Sequence, residues 1–255
     1  MTRTLIALAL FVAAACQANA AGWEPPADMT MQEVLNGAHK DAQAKRYPQA
    51  LEKFVWFHEH ALEREPAMAG VRLSFALSGW NQLAKKYPPA MAKLKAARDQ
   101  AGETALKAEN PFAAFHDFVA INRELKEDTL TVDLFEKISK SSSDRAEGIY
   151  MVAEPAIIQS KRYDLCNTYV KVEAMDRLLE NRSLRKSFPL PPGAEVVMDK
   201  LFTTQAANLV ALLVVNNRKK EAEEAARRAM DAWDDATFKK SIQNALMGTF
   251  PPAFP

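Results

Sequence analysis

The chain has 255 residues, with 33 Lys and Arg against 32 Asp and Glu, so its formal net charge of +1 creates no global pull toward nucleic acid or anionic lipid. Two cysteines exclude a disulfide-stapled scaffold, and the fold must rest on packing. Eight glycines among long stretches of Ala, Leu, Lys, Glu and Arg give helix composition, and no apolar/polar alternation supports a strand.

The chain opens with Thr2-Arg3, an apolar run from Leu5 to Ala15, and the small-x-small signal Ala18-Asn19-Ala20. A bilayer span needs about 20 apolar residues, so this run predicts a signal peptide over residues 1–20, cut after Ala20. The expected location is periplasmic or secreted. Cys16 after Ala13-Ala14-Ala15 loosely matches a lipoprotein box, although Ala13 stands where Leu is usual. That alternative makes the chain a lipoprotein at Cys16, and only then is a membrane expected as a partner. Cleavage after Ala20 leaves Cys166 alone, read as a small buried helix residue.

Residues 21–29 form an extended, Pro-containing lead-in. Thr30 and Glu33 match a capping box, predicting a helix to about Lys45. Arg46-Tyr47-Pro48 makes a turn into a helix over 49–64, whose broad apolar face includes Leu51, Phe54, Val55, Phe57 and Leu62. Further pairs are predicted at 68–86 with 90–108, and 111–126 with 130–140. Asp144 and Glu147 suggest another capping box, opening a helix that Pro155 should kink or break. After the turn at Arg162-Tyr163-Asp164 a helix is expected to Asn181, completing a repeat region over 30–181.

Residues 182–193 read as a Pro-rich loop in which Arg182, Arg185 and Lys186 form a basic patch beside Phe188, a candidate for an acidic partner. Helices at 194–217, 219–233 and 236–247 complete the C-terminal region (194–247). The apolar Leu209–Val215 segment implies burial between neighbours. Residues 248–255 form an extended Pro-rich tail. The charged stretch Arg218–Arg228 reads as a solvated face with paired signs. Trp56, Trp80 and Trp233 are expected in the core, and Trp23, Phe250 and Phe254 over the ends.

Three turns repeat one theme: Arg46-Tyr47-Pro48 with Ala50 and Phe54, Lys86-Tyr87-Pro88 with Ala90 and Leu94, and Arg162-Tyr163-Asp164 with Cys166 and Val170. Arg218-Lys219-Lys220 with Ala222 is a fourth copy without its Tyr. The small residue admits close approach of the second helix, and the larger one fills the core a turn later. This chemistry resembles the tetratricopeptide repeat, although Tyr47 and Tyr87 stand 40 residues apart, longer than that family's period of about 34. The resemblance implies an all-α, right-handed α-solenoid of about five antiparallel helix hairpins. It also implies that the first helix of each pair lines a concave groove. In that register His39, Gln43, Arg72, Gln82, His116, Arg123 and Gln159 face the groove and would bind a protein or peptide partner of the cell envelope.

Chemistry-bearing patterns are sparse. His58-Glu59-His60 places two imidazoles about 200° apart on a helix, unsuited to one metal ion, so both read as rim histidines. Ser141-Ser142-Ser143-Asp144 reads as a helix cap. No phosphate loop, nucleophile elbow, Cys-x-x-Cys or metalloprotease motif is present, and no catalytic residue, metal or cofactor is expected. The expectation is a non-enzymatic interaction or scaffold protein. The alternatives are an envelope hydrolase with carboxylates in the groove and a lipid-anchored outer-membrane assembly factor.

Overall fold

A computed structural model describes residues 23–185, 187 and 191–252. The leader, its Ala20 cleavage site, Cys16, Lys186, Phe188 and Phe254 therefore lie outside the described residues. Among those described the chain is all-helical, and it divides into two units, Met1–Ala69 and Gly70–Pro255.

The first unit is a hairpin of α1 (Met31–Gln43) and α2 (Tyr47–Arg64). The capping box forms as expected: Glu33 N–H donates to Thr30 Oγ1 and Thr30 N–H to the Glu33 carboxylate, at 3.2 and 2.9 Å. Val34, Leu35 and Ala38 of α1 are buried, as are Ala50, Phe54, Phe57 and Ala61 of α2. The lead-in segment packs back through Trp23, edge-on to Trp56 with centroids 6.0 Å apart.

In the second unit a short turn, α3 (Ala69–Val71), leads into a π-helical stretch, Arg72–Ala76, and then α4 (Leu77–Ala84). There follow α5 (Pro88–Lys107), α6 (Phe112–Leu125), α7 (Asp128–Ser141) and α8 (Ser143–Gln159). Each packs on the next, and the alternate helices α4, α6 and α8 also touch in sequence. After a 3-10 turn at Tyr163–Cys166 come α9 (Ala174–Arg185), α10 (Ala194–Val215), α11 (Lys219–Ala232) and α12 (Ala236–Leu246). One hydrophobic core runs from Ala105 to Ala245, with α10 at the centre of its C-terminal part. Residues Leu209 to Leu213 are buried, as their composition implied. By length and composition alone α10 is long and apolar enough to cross a membrane, and its second half is core.

Four turns share one geometry. Lys45, Lys126, Lys161 and Asn217 take left-handed conformations (φ 61°, 59°, 56° and 62°). The N–H of the following residue bonds the carbonyl five back: Arg46 to Asp41, Glu127 to Asn122, Arg162 to Ile157, Arg218 to Leu213. These are Schellman turns, which satisfy the carbonyls left over at a helix end. Counting four and eight residues on from Arg46, Lys86, Glu127, Arg162 and Arg218 gives Ala50, Ala90, Thr131, Cys166 and Ala222, then Phe54, Leu94, Phe135, Val170 and Ala226. None of the ten is more than 3% exposed. The sequence theme thus marks the turns correctly but misses the one at Lys126-Glu127, which has no Tyr. At Lys86-Tyr87 the spacing holds although Lys85 is not left-handed (φ −66°).

Several expectations fail locally. Of the kink or break expected at Pro155, the break does not occur, and α8 runs through it. Pro155 and Met151, whose carbonyl loses its donor, share the exposed face, so the defect lies on the hydrated side. α8 is capped by Ser142, which accepts from Arg145 N–H, rather than by Asp144. The helix expected after Tyr163 stops at one 3-10 turn. Arg218 explains the stop: its guanidinium takes the carbonyls of Asn167 and Val170, at 3.2 and 2.7 Å, that a continuing helix would use itself. The loop expected to begin at 182 begins later, because α9 extends to Arg185.

The remaining aromatic expectations divide. Trp80 is core and donates to the Ala90 carbonyl at 3.1 Å. Trp56 and Trp233 are only half-buried, each lying under an arginine (Arg64 and Arg182). Phe250 stacks on Tyr163, 4.7 Å between centroids. The Arg218–Arg228 face is ion-paired as expected, through Arg218–Glu221, Arg227–Asp231 and Arg228–Glu224.

Candidate functional site

Arg72 sits four residues before Ala76 and eight before Trp80, on the buried stripe of its helix. An arginine there must find an anion, since burying an unpaired charge costs several kcal/mol. It finds Asp117 on α6: Nη1 and Nη2 donate to Oδ1 and Oδ2, both at 2.6 Å. The π-helical stretch beginning at Arg72 adds a residue to the local turn and carries Phe75 outward, 73% exposed. Arg123 reaches back from α6 to the Leu73 carbonyl at 3.2 Å, and Asn81 of α4 donates to the Glu124 carbonyl at 2.7 Å. Thus the π-helical stretch with α4, its continuation, is tied to α6 by side chains at both ends.

His116 is half-buried beside this bridge, its ring 5.7 Å from that of Phe112. Burial lowers its pKa, the positive fields of Arg123 and Arg72 reinforce the shift, and Asp117 opposes it. The imidazole is therefore neutral at pH 7 and can both donate and accept. Arg123 is exposed, as are Phe75 and Phe112. The surface thus combines a cation, a neutral imidazole and two aromatic rings. It is suited to contacting a peptide carrying acidic and apolar side chains.

Of the seven residues proposed for a groove, three meet here: Arg72, His116 and Arg123. Arg72 differs from the expectation in being buried and committed to Asp117. Gln82 on α4 and Gln159 at the end of α8 are exposed, the latter on a stripe with Gly148, Met151 and Pro155. His39 and Gln43 belong to the first unit. His39 packs edge-on against Phe54, 5.3 Å between centroids, and burial lowers its pKa, while Gln43 is exposed. Sequence reasoning missed Asp117, Phe75 and Phe112. Phe75 had a signal, being an apolar residue off the stripe of Ala76, Trp80 and Leu83.

His58 and His60 belong to the first unit and Cys166 to the second. His58 is buried rather than on the rim, and His60 lies 3.2 Å from Glu63 and against Trp56. Cys166 is buried as expected, in a 3-10 turn rather than an α-helix, beside Tyr150 and Glu154 of α8. Burial raises the Tyr150 phenol and pushes the Cys166 thiol up to about 12. It also raises the Glu154 carboxyl. A thiol so raised is not a nucleophile at neutral pH. Among the described residues no three His, Cys, Asp or Glu are grouped to hold a metal ion.

No protein-family model matches the chain, and no curated protein or solved structure matches it significantly.

Proposed function

We propose that this chain is an exported helical-hairpin scaffold, built as a right-handed α-solenoid, that binds a protein or peptide partner across the face shared by α4 and α6. The observation that carries the reading is the cross-helix bridge of Arg72 to Asp117, flanked by exposed Arg123, Phe75 and Phe112. It fixes two alternate helices side by side and presents cationic and aromatic groups together, the combination enriched at interface hot spots. The recurrence of small and large buried residues after five turns supports a stacked-hairpin architecture like the tetratricopeptide repeat. The leader over residues 1–20 supports export to the periplasm or beyond.

The test is an envelope pull-down with mass spectrometry, comparing the natural protein with Arg123→Glu. Arg123 is exposed and gives up one bond, to the Leu73 carbonyl, whereas replacing Arg72 breaks a buried ion pair and confounds binding with stability. A partner held by the natural protein and lost with Arg123→Glu at unchanged melting temperature supports the reading. A partner set indifferent to Arg123→Glu and to Phe75→Ser sinks it.

A further inference from the structure

The C-terminal part of the second unit contains a cavity of about 540 Å³ between α9 and the start of α10. That volume lies within the range of small-molecule sites, roughly 300–1,000 Å³. Its polar lining includes Arg182, Arg185, Asn181 and Gln205, and its apolar lining includes Leu178, Met198 and Phe202.

Arg182 is unusual in how little of its hydrogen-bonding capacity is used. Its guanidinium lies over Trp233, 3.9 Å from the ring centroid, and 5.4 Å from that of Phe202. Its side chain is 12% exposed, and its buried Nε has no hydrogen-bond partner among the described residues. Its ion pair with Asp199 is long, at 3.4 Å. Nε itself is out of reach of the cavity, and the long pair with Asp199 leaves the Nη groups as the donors that an acceptor there can engage. Trp233 and Phe202 offset the charge as cation–π partners without accepting a hydrogen bond. Arg185 brings a second cation. The N-terminus of α10, at Gly193 (φ 83°), opens at the cavity with no side-chain cap and adds a favourable dipole for an anion.

We infer that this cavity binds the carboxylate of a small apolar ligand, with the carboxylate on Arg182 and Arg185 and the apolar body against Leu178, Met198 and Phe202. A carboxylate is favoured over a bulkier, more highly charged anion by the lining itself. Glu195 and Asp199 also line the space and offset the two arginines, so the lining has little net charge to hold a dianion, while a single carboxylate can be met by the Arg182 guanidinium. The site is separate from the α4/α6 face, and it does not depend on the partner proposed there. Its carboxylate comes from a free acid or from the C-terminus of a peptide.

The experiment is calorimetric titration of the purified protein with N-acetyl-leucine, N-acetyl-leucinamide, inorganic phosphate, and a short peptide ending in leucine with a free or amidated terminus. Saturable binding of N-acetyl-leucine without binding of its amide is the expected result. A free-terminus peptide that also binds, with its amidated form silent, identifies a peptide C-terminus as the source, and failure of that peptide identifies a free acid. Arg185→Gln is expected to weaken binding roughly tenfold, the loss of one charge-assisted bond. Asp199→Asn is expected to tighten it by removing the internal competitor for Arg182, an effect that a merely structural role would not produce. Arg182→Met should abolish it, and the two other variants keep the test open if Arg182→Met fails to fold. No saturable binding of either carboxylate, equal binding of the amides, or tighter binding of phosphate overturns the inference.

Discussion

Arg72 and Asp117, 45 residues apart in sequence, meet in two parallel hydrogen bonds of 2.6 Å, with side chains only 10% and 21% exposed. Removing one partner strands the other, so Arg72→Ala should destabilise the second unit by about 2 kcal/mol, less than a fully buried pair because water reaches Asp117. Replacing both with Met and Leu should cost clearly less than the sum of the single changes. Urea denaturation of the two single variants and the double variant measures the coupling, and additive costs contradict it.

The glycines at 102 and 148 should respond oppositely to alanine. A Cβ on Gly102 would lie 2.9 Å from the Phe118 ring, which is buried and has little room to move. Gly102→Ala should therefore destabilise by about 1–3 kcal/mol of overpacking, less what the better helix former returns. At Gly148 a Cβ meets nothing within 4 Å, and Gly148→Ala should stabilise by about 0.5–1 kcal/mol. Thermal melts of the two variants should move in opposite directions.

The left-handed residues at the Schellman turns predict a third set of effects. Lys45, Lys126, Lys161 and Asn217 carry a Cβ where glycine is preferred. Lys126→Gly or Lys161→Gly should gain up to about 1 kcal/mol after the entropy of the unfolded chain is counted, and Lys126→Val should lose more than that. Equal stabilities of the Gly and Val variants in chemical denaturation would contradict the turn assignment.

Asp41 and Glu154 should tilt stability with pH in opposite senses. Burial favours the neutral Asp41 carboxyl, but Lys53 and Arg46 outweigh it and hold the group below its usual range. Its contribution is complete above the unfolded pKa and fades as pH falls through the lower folded value. Asp41→Asn should cost about 1–2 kcal/mol at neutral pH and progressively less in acid. Glu154 is raised instead, so the folded state holds its proton more tightly than the unfolded one. Its contribution is complete at low pH and is lost as pH rises from the unfolded value through the folded one. Glu154→Gln should raise the melting temperature at neutral and alkaline pH and leave it unchanged in acid. Differential scanning fluorimetry across this range checks both signs.

What was legible in the sequence was local. The Thr30–Glu33 cap needs only four consecutive residues, and the turn at Arg162-Tyr163 is set by the residues around it. The extent of the next helix was not legible, because Arg218 ends it from 48 residues away. Arg123 and His116 could be named from register, but Asp117 could not be paired with Arg72 without knowing that α4 and α6 lie together. Arg182 and Arg185 drew notice as a basic patch assigned to a loop. Their helix, and the aromatic rings beneath Arg182, emerge only when α9, α10 and Trp233 are assembled.

Cys166 fills the small-residue position of the Tyr163 turn, with no exposed surface and a thiol pushed up to about 12. It is the only cysteine among the described residues. It therefore acts as a built-in clock for local opening. A maleimide added to the native protein can reach the Cys166 thiol only in those molecules in which Tyr150 has parted from it, and modification is read on the peptide that carries Cys166. The labelling rate then times the breathing of a single hairpin while the rest of the chain stays folded.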